Sequence, residues 1–169
     1  MPSRPESRSF EARAAAWRSE FPDADLDAFL LGAMLVRLGQ IAGRDLADRS
    51  KRQFGSSGAE LGLLFALRRQ GAPYTARPRT LTRALLITSG AVTKQIDRLE
   101  AKGLVSRSAD TASLNGQLIT LTDAGFDLTE RAVRHLADHS IVAEATQADP
   151  EALAEGLHFA RALLDRIER

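Results

Sequence analysis

The sequence predicts a mainly α-helical protein with one small β-hairpin, and three observations carry that reading. Apolar residues recur at intervals of three and four along most of the 169-residue chain. Two strand-like runs, residues 104–106 and 117–121, enclose a loop rich in Ser, Thr, Asn and Gly. With 44% hydrophobic and 27% charged residues the composition is globular, and no apolar cluster approaches the ~18 residues needed to span a bilayer.

Residues 9–21 set Phe10, Ala14, Trp17 and Phe21 on one stripe of a short helix that Pro22 ends; residues 1–24 thus read as an N-terminal arm. Asp25 is placed to cap the next helix. There Leu26, Phe29, Leu30, Ala33, Met34, Leu38, Ile41 and Ala42 keep helical spacing up to a charged run at 44–52. Gly55-Ser56-Ser57-Gly58 interrupts the pattern, and Leu61, Leu64, Phe65 and Leu67 form a third helix stopped by Gly71-Ala72-Pro73. Pro78 opens a helix of about two turns with Leu81, Ala84 and Leu85. After a turn at Ile87-Thr88, with Thr88 as N-cap, Val92, Ile96 and Leu99 make the inner face of another helix. Gly103 ends it in a left-handed cap, leaving Thr93, Lys94, Asp97, Arg98 and Ala101 pointing outward. Two short helices joined by a tight turn are a helix-turn-helix, and the hairpin behind them is its wing.

Thr122-Asp123 caps a long helical region to about Gln147, and Pro150 opens a last helix. In it Leu153, Leu157, Ala160, Leu164 and Ile167 alternate spacings of four and three, as in a coiled coil. That stripe and the apolar second helix exceed what a small winged domain can cover. Residues 25–54 and 122–169 are therefore expected to form a helical dimerisation region, and 55–121 the winged helix-turn-helix, in a homodimer.

Charge is unevenly placed. Arg77, Arg79, Arg83, Lys94, Arg98, Lys102 and Arg107 face only Asp97 and Glu100 within residues 77–107, a basic middle followed by an acidic end. Such a stretch is the footprint of a nucleic-acid-binding module, or else a solvated charged face. The absence of cysteine excludes disulfides, thiolate metal sites and thiol-based sensing. His135 and His139 stand at a spacing able to hold zinc on one helical face, but two ligands make no site without His158 or further carboxylates. Neither a metal nor a cofactor is expected. No nucleophile elbow, phosphate loop or His-Glu-x-x-His motif is found, so an enzyme is not expected. Met-Pro-Ser-Arg-Pro-Glu leads into no apolar segment, so the expected location is cytoplasmic.

The run Ile87-Thr88-Ser89-Gly90-Ala91-Val92-Thr93-Lys94-Gln95-Ile96-Asp97-Arg98-Leu99-Glu100-Ala101-Lys102-Gly103-Leu104-Val105, followed by Leu121-Thr122-Asp123-Ala124-Gly125, resembles the MarR family of transcriptional regulators. The element order agrees with that family from about Leu26 to the C-terminus. The arm carrying Trp17 further resembles its urate-responsive branch. The ligand set implied by that branch is matched by Trp17 and Arg107, whereas Gly62 and Gln95 stand where it carries Asp and Arg. The family's wing Asp-Arg-Arg is replaced by Ser113-Leu114-Asn115, so the charged minor-groove contact is missing.

The resemblance and the basic middle together imply a repressor of pseudo-palindromic double-stranded DNA, released by a small aromatic or anionic effector. Arg77, Arg79 and Arg83 would touch phosphates. Thr88, Ser89 and Gly90 would bring a helix N-terminus to the duplex; Thr93, Lys94 and Arg98 would reach base edges or backbone, and Ser113 and Asn115 would serve the wing. Trp17 either stacks on an effector or anchors the arm, and Arg107 either holds an anion or pairs with a nearby carboxylate. The alternative function is a dimeric ligand-sensing or protein-interaction module without sequence-specific DNA binding.

Overall fold

The computed structural model describes residues 10–112 and 116–168. By its internal contacts the chain divides into two compact units, residues 1–41 and 42–169. The element order is α1 (Phe10–Glu20), α2 (Asp27–Phe54), α3 (Gly58–Arg68), β1 (Thr75–Ala76), α4 (Pro78–Leu85), α5 (Ser89–Ala101), β2 (Val105–Ala109), β3 (Gln117–Leu121), α6 (Asp123–His139), α7 (Ile141–Thr146) and α8 (Pro150–Ile167).

In the first unit, the indole of Trp17 stacks on Phe21 at 5.8 Å and meets Phe29 edge-on at 5.1 Å. Ala14 and Leu30 are buried; the Asp25 carboxylate accepts the amide N–H of Asp27, the first residue of α2, at 3.1 Å, from one position before Leu26, whose carbonyl takes the first helical bond. The helix that follows does not stop at the charged run. α2 continues through it to Phe54, because charged side chains three and four apart support a helix; Arg49 pairs with Asp45 one turn earlier at 2.7 Å.

The second unit is built on one apolar core. Leu61, Leu64 and Leu67 of α3, Leu81 of α4, Val92, Ile96 and Leu99 of α5, and Val105 and Ile119 of the sheet are at most 2% exposed. Leu128 and Ala132 bring α6 into the same cluster. The expected hairpin is there, antiparallel from Val105 opposite Leu121 to Ala109 opposite Gln117. A third strand joins it: β1 pairs with β3, Thr75 opposite Thr120, so β3 is central. A two-residue strand has no period to read.

The long C-terminal helical region is two helices rather than one. Ser140 leaves the helical conformation at φ −71°, ψ 156°, and its hydroxyl accepts the Ala143 N–H at 3.2 Å, starting α7. Asp45 of α2 takes the Ile141 N–H at 2.9 Å, and Arg49 bridges Asp45 to Glu144. A serine able to cap competes with helix continuation, and a distant carboxylate decides the outcome. Burial works to raise the Asp45 pKa, but the Ile141 N–H and Arg49 outweigh it and hold the carboxyl below its ordinary range. α8 follows with no buried residue along its length.

Candidate nucleic-acid interface

The helix-turn-helix consists of α4, a turn and α5. Pro78 occupies the first turn of α4, where its missing N–H costs nothing. α4 ends at Leu86, whose backbone is left-handed at φ +53°. Thr88 then caps α5, its hydroxyl accepting the Ala91 N–H at 3.3 Å. This cap leaves the amide N–H groups of Ser89 and Gly90 facing outward at a positive dipole end. A side-chain carbon built on Gly90 meets no atom within 4 Å among the described residues, so no contact with them requires glycine there.

α5 buries Val92, Ile96 and Leu99 and exposes Thr93, Lys94, Asp97 and Arg98, as its spacing predicts. The Thr93 hydroxyl donates back to the Ser89 carbonyl at 3.0 Å, leaving its lone pairs outward. Arg79, Arg83, Lys94 and Arg98 are exposed, and no ion-pair partner holds them among the described residues. The other cations of the basic middle are engaged. Arg77 donates from Nε to the buried carboxylate of Asp110 at 2.6 Å, and this pairing, with the Ala112 N–H, holds the Asp110 pKa below its ordinary range. Lys102 reaches Glu60 at 2.9 Å and the Gly55 carbonyl at 3.2 Å. Arg107 grips both Asp97 and Glu100, which raises the pKa of its guanidinium, Asp97 foremost.

That last arrangement sets the charge of the surface. Asp97 and Glu100 are the acidic side chains of α5, and left alone they would repel a polyanion. Arg107, reaching from β2, holds both carboxylates and offsets one of their two charges, so that with Lys94 and Arg98 this face carries a net positive charge. Of the two alternatives for Arg107, the structure shows carboxylate pairing. Trp17 packs on Phe21 and Phe29, and it lies in the first unit while Arg107 lies in the second. Ser113 and Asn115 lie outside the described residues.

Two features escaped the sequence. The Gln95 side-chain oxygen is buried without a hydrogen-bond partner among the described residues, a state that costs ~1–3 kcal/mol unless a donor arrives. A cavity of about 650 Å³ opens where the end of α2, the end of α5 and the start of α6 meet, lined by Phe54, Lys102, Leu104, Asp127 and Arg131 among others. Neither Trp17 nor Arg107 lines it. His135 and His139 stack ring on ring at 4.6 Å, and among the described residues no group of three His, Asp or Glu is placed to hold a metal ion. No described helix is long and apolar enough to cross a membrane.

Comparison with known proteins gives this geometry a context. Residues 54–112, from the last residue of α2 into the wing, match the MarR family model. The transcriptional regulator BldR from Sulfolobus solfataricus superposes with a TM-score of 0.68 at 22% identity, covering 83% of this chain and 96% of that one. A MarR family transcriptional regulator from Streptomyces coelicolor, solved in complex with DNA, gives 0.70 at 21% identity over 86% and 91% of the two chains. These likenesses establish the winged-helix fold. The helix-turn-helix transcriptional regulator PecS of Dickeya dadantii (strain 3937) is 35% identical over 156 residues, 90% of this chain and 89% of its own. With the family match over residues 54–112 and that identity over nine tenths of the chain, the chain belongs to the MarR family of transcriptional regulators.

Proposed function

We propose that this DNA-binding regulator is a homodimeric repressor that lays α5 in a major groove of each half-site of a pseudo-palindromic operator in the cytoplasm. The observation that carries the reading is the allocation of charge. Arg107 engages both carboxylates of α5 and offsets one of their two charges, while Arg79, Arg83, Lys94 and Arg98 stay exposed and without an ion-pair partner among the described residues. Arg79 and Arg83 then serve phosphates, as does the Ser89–Gly90 backbone; Lys94, Arg98 and Thr93 serve base edges or flanking backbone. Arg77, fixed by Nε, still offers its terminal nitrogens to a phosphate, and Ser113 and Asn115 supply an uncharged wing contact.

Residues 25–54 and 122–169 form the dimerisation region in this reading, 55–121 the DNA-binding region, and 1–24 the arm. Leu157, Leu164 and Ile167 of α8 are 54–70% exposed, apolar surface that a second copy would cover. A small aromatic or anionic effector relieves repression. Its support is the resemblance to an effector-responsive branch of the family, and the buried Gln95 acceptor would be satisfied by a hydrogen-bond donor on such a molecule; the effector acts by binding unequally to the DNA-competent and DNA-incompetent states.

The test is a salt series of gel shifts on the DNA flanking the protein's own gene. Wild type is expected to bind it well above random DNA at physiological salt. Arg79→Ala should weaken all sequences alike and lower the salt slope by about one per protomer, whereas Lys94→Ala or Arg98→Ala should relax preference at one position of each half-site. Equal affinity for operator and random DNA would favour a sensing or protein-interaction module instead.

A further inference from the structure

Leu86 occupies the turn between α4 and α5 and is 92% exposed, more than any other large apolar side chain described. Its neighbours show that the turn is not loose. Leu85 and Ile87 both pack against the core, while the left-handed backbone of Leu86 turns its side chain out between them. That conformation suits glycine and is strained for a branched side chain. A leucine here therefore costs the free protein backbone strain, gains almost no burial in return and contributes nothing to its core.

The surroundings point to what the side chain meets. Thr88, Ser89 and Gly90 follow it, all exposed, and Arg83 and Lys94 stand exposed on the two helices it joins, without an ion-pair partner among the described residues. A lone apolar group in a polar, cationic setting does not make a protein-binding patch, which needs contiguous apolar area. It does match the major groove, where the thymine 5-methyl is the apolar feature among hydrogen-bonding edges and phosphates.

We propose that Leu86 is a specificity-determining residue of the DNA interface, seating its side chain against the 5-methyl group of a thymine in each half-site. The inference rests on the DNA-binding reading above and adds a base preference to it.

The experiment enriches a duplex from a random-sequence library with the full-length chain, then replaces each thymine singly by uracil, which removes only the methyl group. With wild type, one symmetry-related thymine is expected to lose about fourfold in affinity per half-site on replacement, the worth of one buried methyl group. Leu86→Gly should keep or raise the melting temperature, since it relieves the backbone strain. It should bind the thymine duplex more weakly and show no uracil effect at that position; Leu86→Met should restore part of the effect. If no duplex is enriched, the DNA-binding reading fails and the inference with it. If a duplex is enriched but Leu86→Gly shows the same uracil profile as wild type, the inference is overturned while DNA binding stands. A Leu86→Gly loss without any uracil-sensitive thymine would place the side chain on the sugar-phosphate backbone and also overturn it.

Discussion

Glu60 is the residue through which the start of α3 holds the end of α5, and its substitution is expected to separate two contributions. Its carboxylate accepts the Ser57 N–H at 2.7 Å and Lys102 Nζ at 2.9 Å, while Ser57 Oγ accepts the Glu60 N–H at 3.2 Å. This is a capping box with a lysine added. Glu60→Ala leaves the Ser57 N–H without its acceptor, about 1 kcal/mol of capping, and removes a charge-assisted bond worth ~1.5–3 kcal/mol. The lysine is 38% exposed, so water recovers part of that loss, and a total of ~2–3 kcal/mol follows. Glu60→Gln keeps an oxygen for Ser57 and loses only the ionic part, about 1 kcal/mol.

The same residue makes stability depend on pH. Burial tends to raise the Glu60 pKa, but Ser57 and Lys102 outweigh it and hold the carboxyl below the ordinary 4.5. A lowered folded-state pKa contributes stability that is fully present above 4.5 and is lost as pH falls through the folded value. Urea unfolding of wild type, Glu60→Gln and Glu60→Ala at fixed protein concentration measures all three quantities. Wild type should lose stability on acidification below pH ~4.5 more steeply than Glu60→Gln. Equal costs for the Gln and Ala variants, or the same acid slope in Gln as in wild type, would refute the division between cap and ion pair.

Three further outcomes are expected. Gly125→Ala places a carbon 2.1 Å from the Leu104 carbonyl oxygen and 3.0 Å from Leu121 Cδ2, which forces backbone apart where β2 and α6 meet; it should cost ~2–4 kcal/mol in denaturant unfolding. Gly90→Ala meets no atom within 4 Å among the described residues, so its melting temperature should hold or rise by the helix propensity gained; affinity for the enriched duplex should fall, and unchanged affinity would remove the α5 N-terminus from the interface. Replacing Leu157 and Leu164 together by Asp on the exposed face of α8 should give monomers in analytical ultracentrifugation and abolish DNA binding; a dimeric variant would exclude α8 from the subunit interface.

Local patterns in the chain suffice for the helices and most of their ends. Val92, Ile96 and Leu99 declare the inner face of α5, Thr88 and Thr122 declare two caps, and Gly103 declares a left-handed turn at φ +68°. These are signals carried within one or two helical turns, where backbone sterics and a single side-chain hydrogen bond suffice. Features that depend on residues far apart in the chain emerge only on folding. Asp45 joins Ser140 in ending α6 and starting α7 across 96 positions of sequence to Ile141, and β3 alone makes a strand of Thr75–Ala76. Above all, the fold sorted the basic residues. Arg77 went to Asp110, Lys102 to Glu60 and Arg107 to Asp97 and Glu100, while Arg79, Arg83, Lys94 and Arg98 stayed unpaired among the described residues. One-dimensional spacing counts charges but does not say which meet, because ion pairing requires approach within about 4 Å in space, and only packing fixes which side chains come that close.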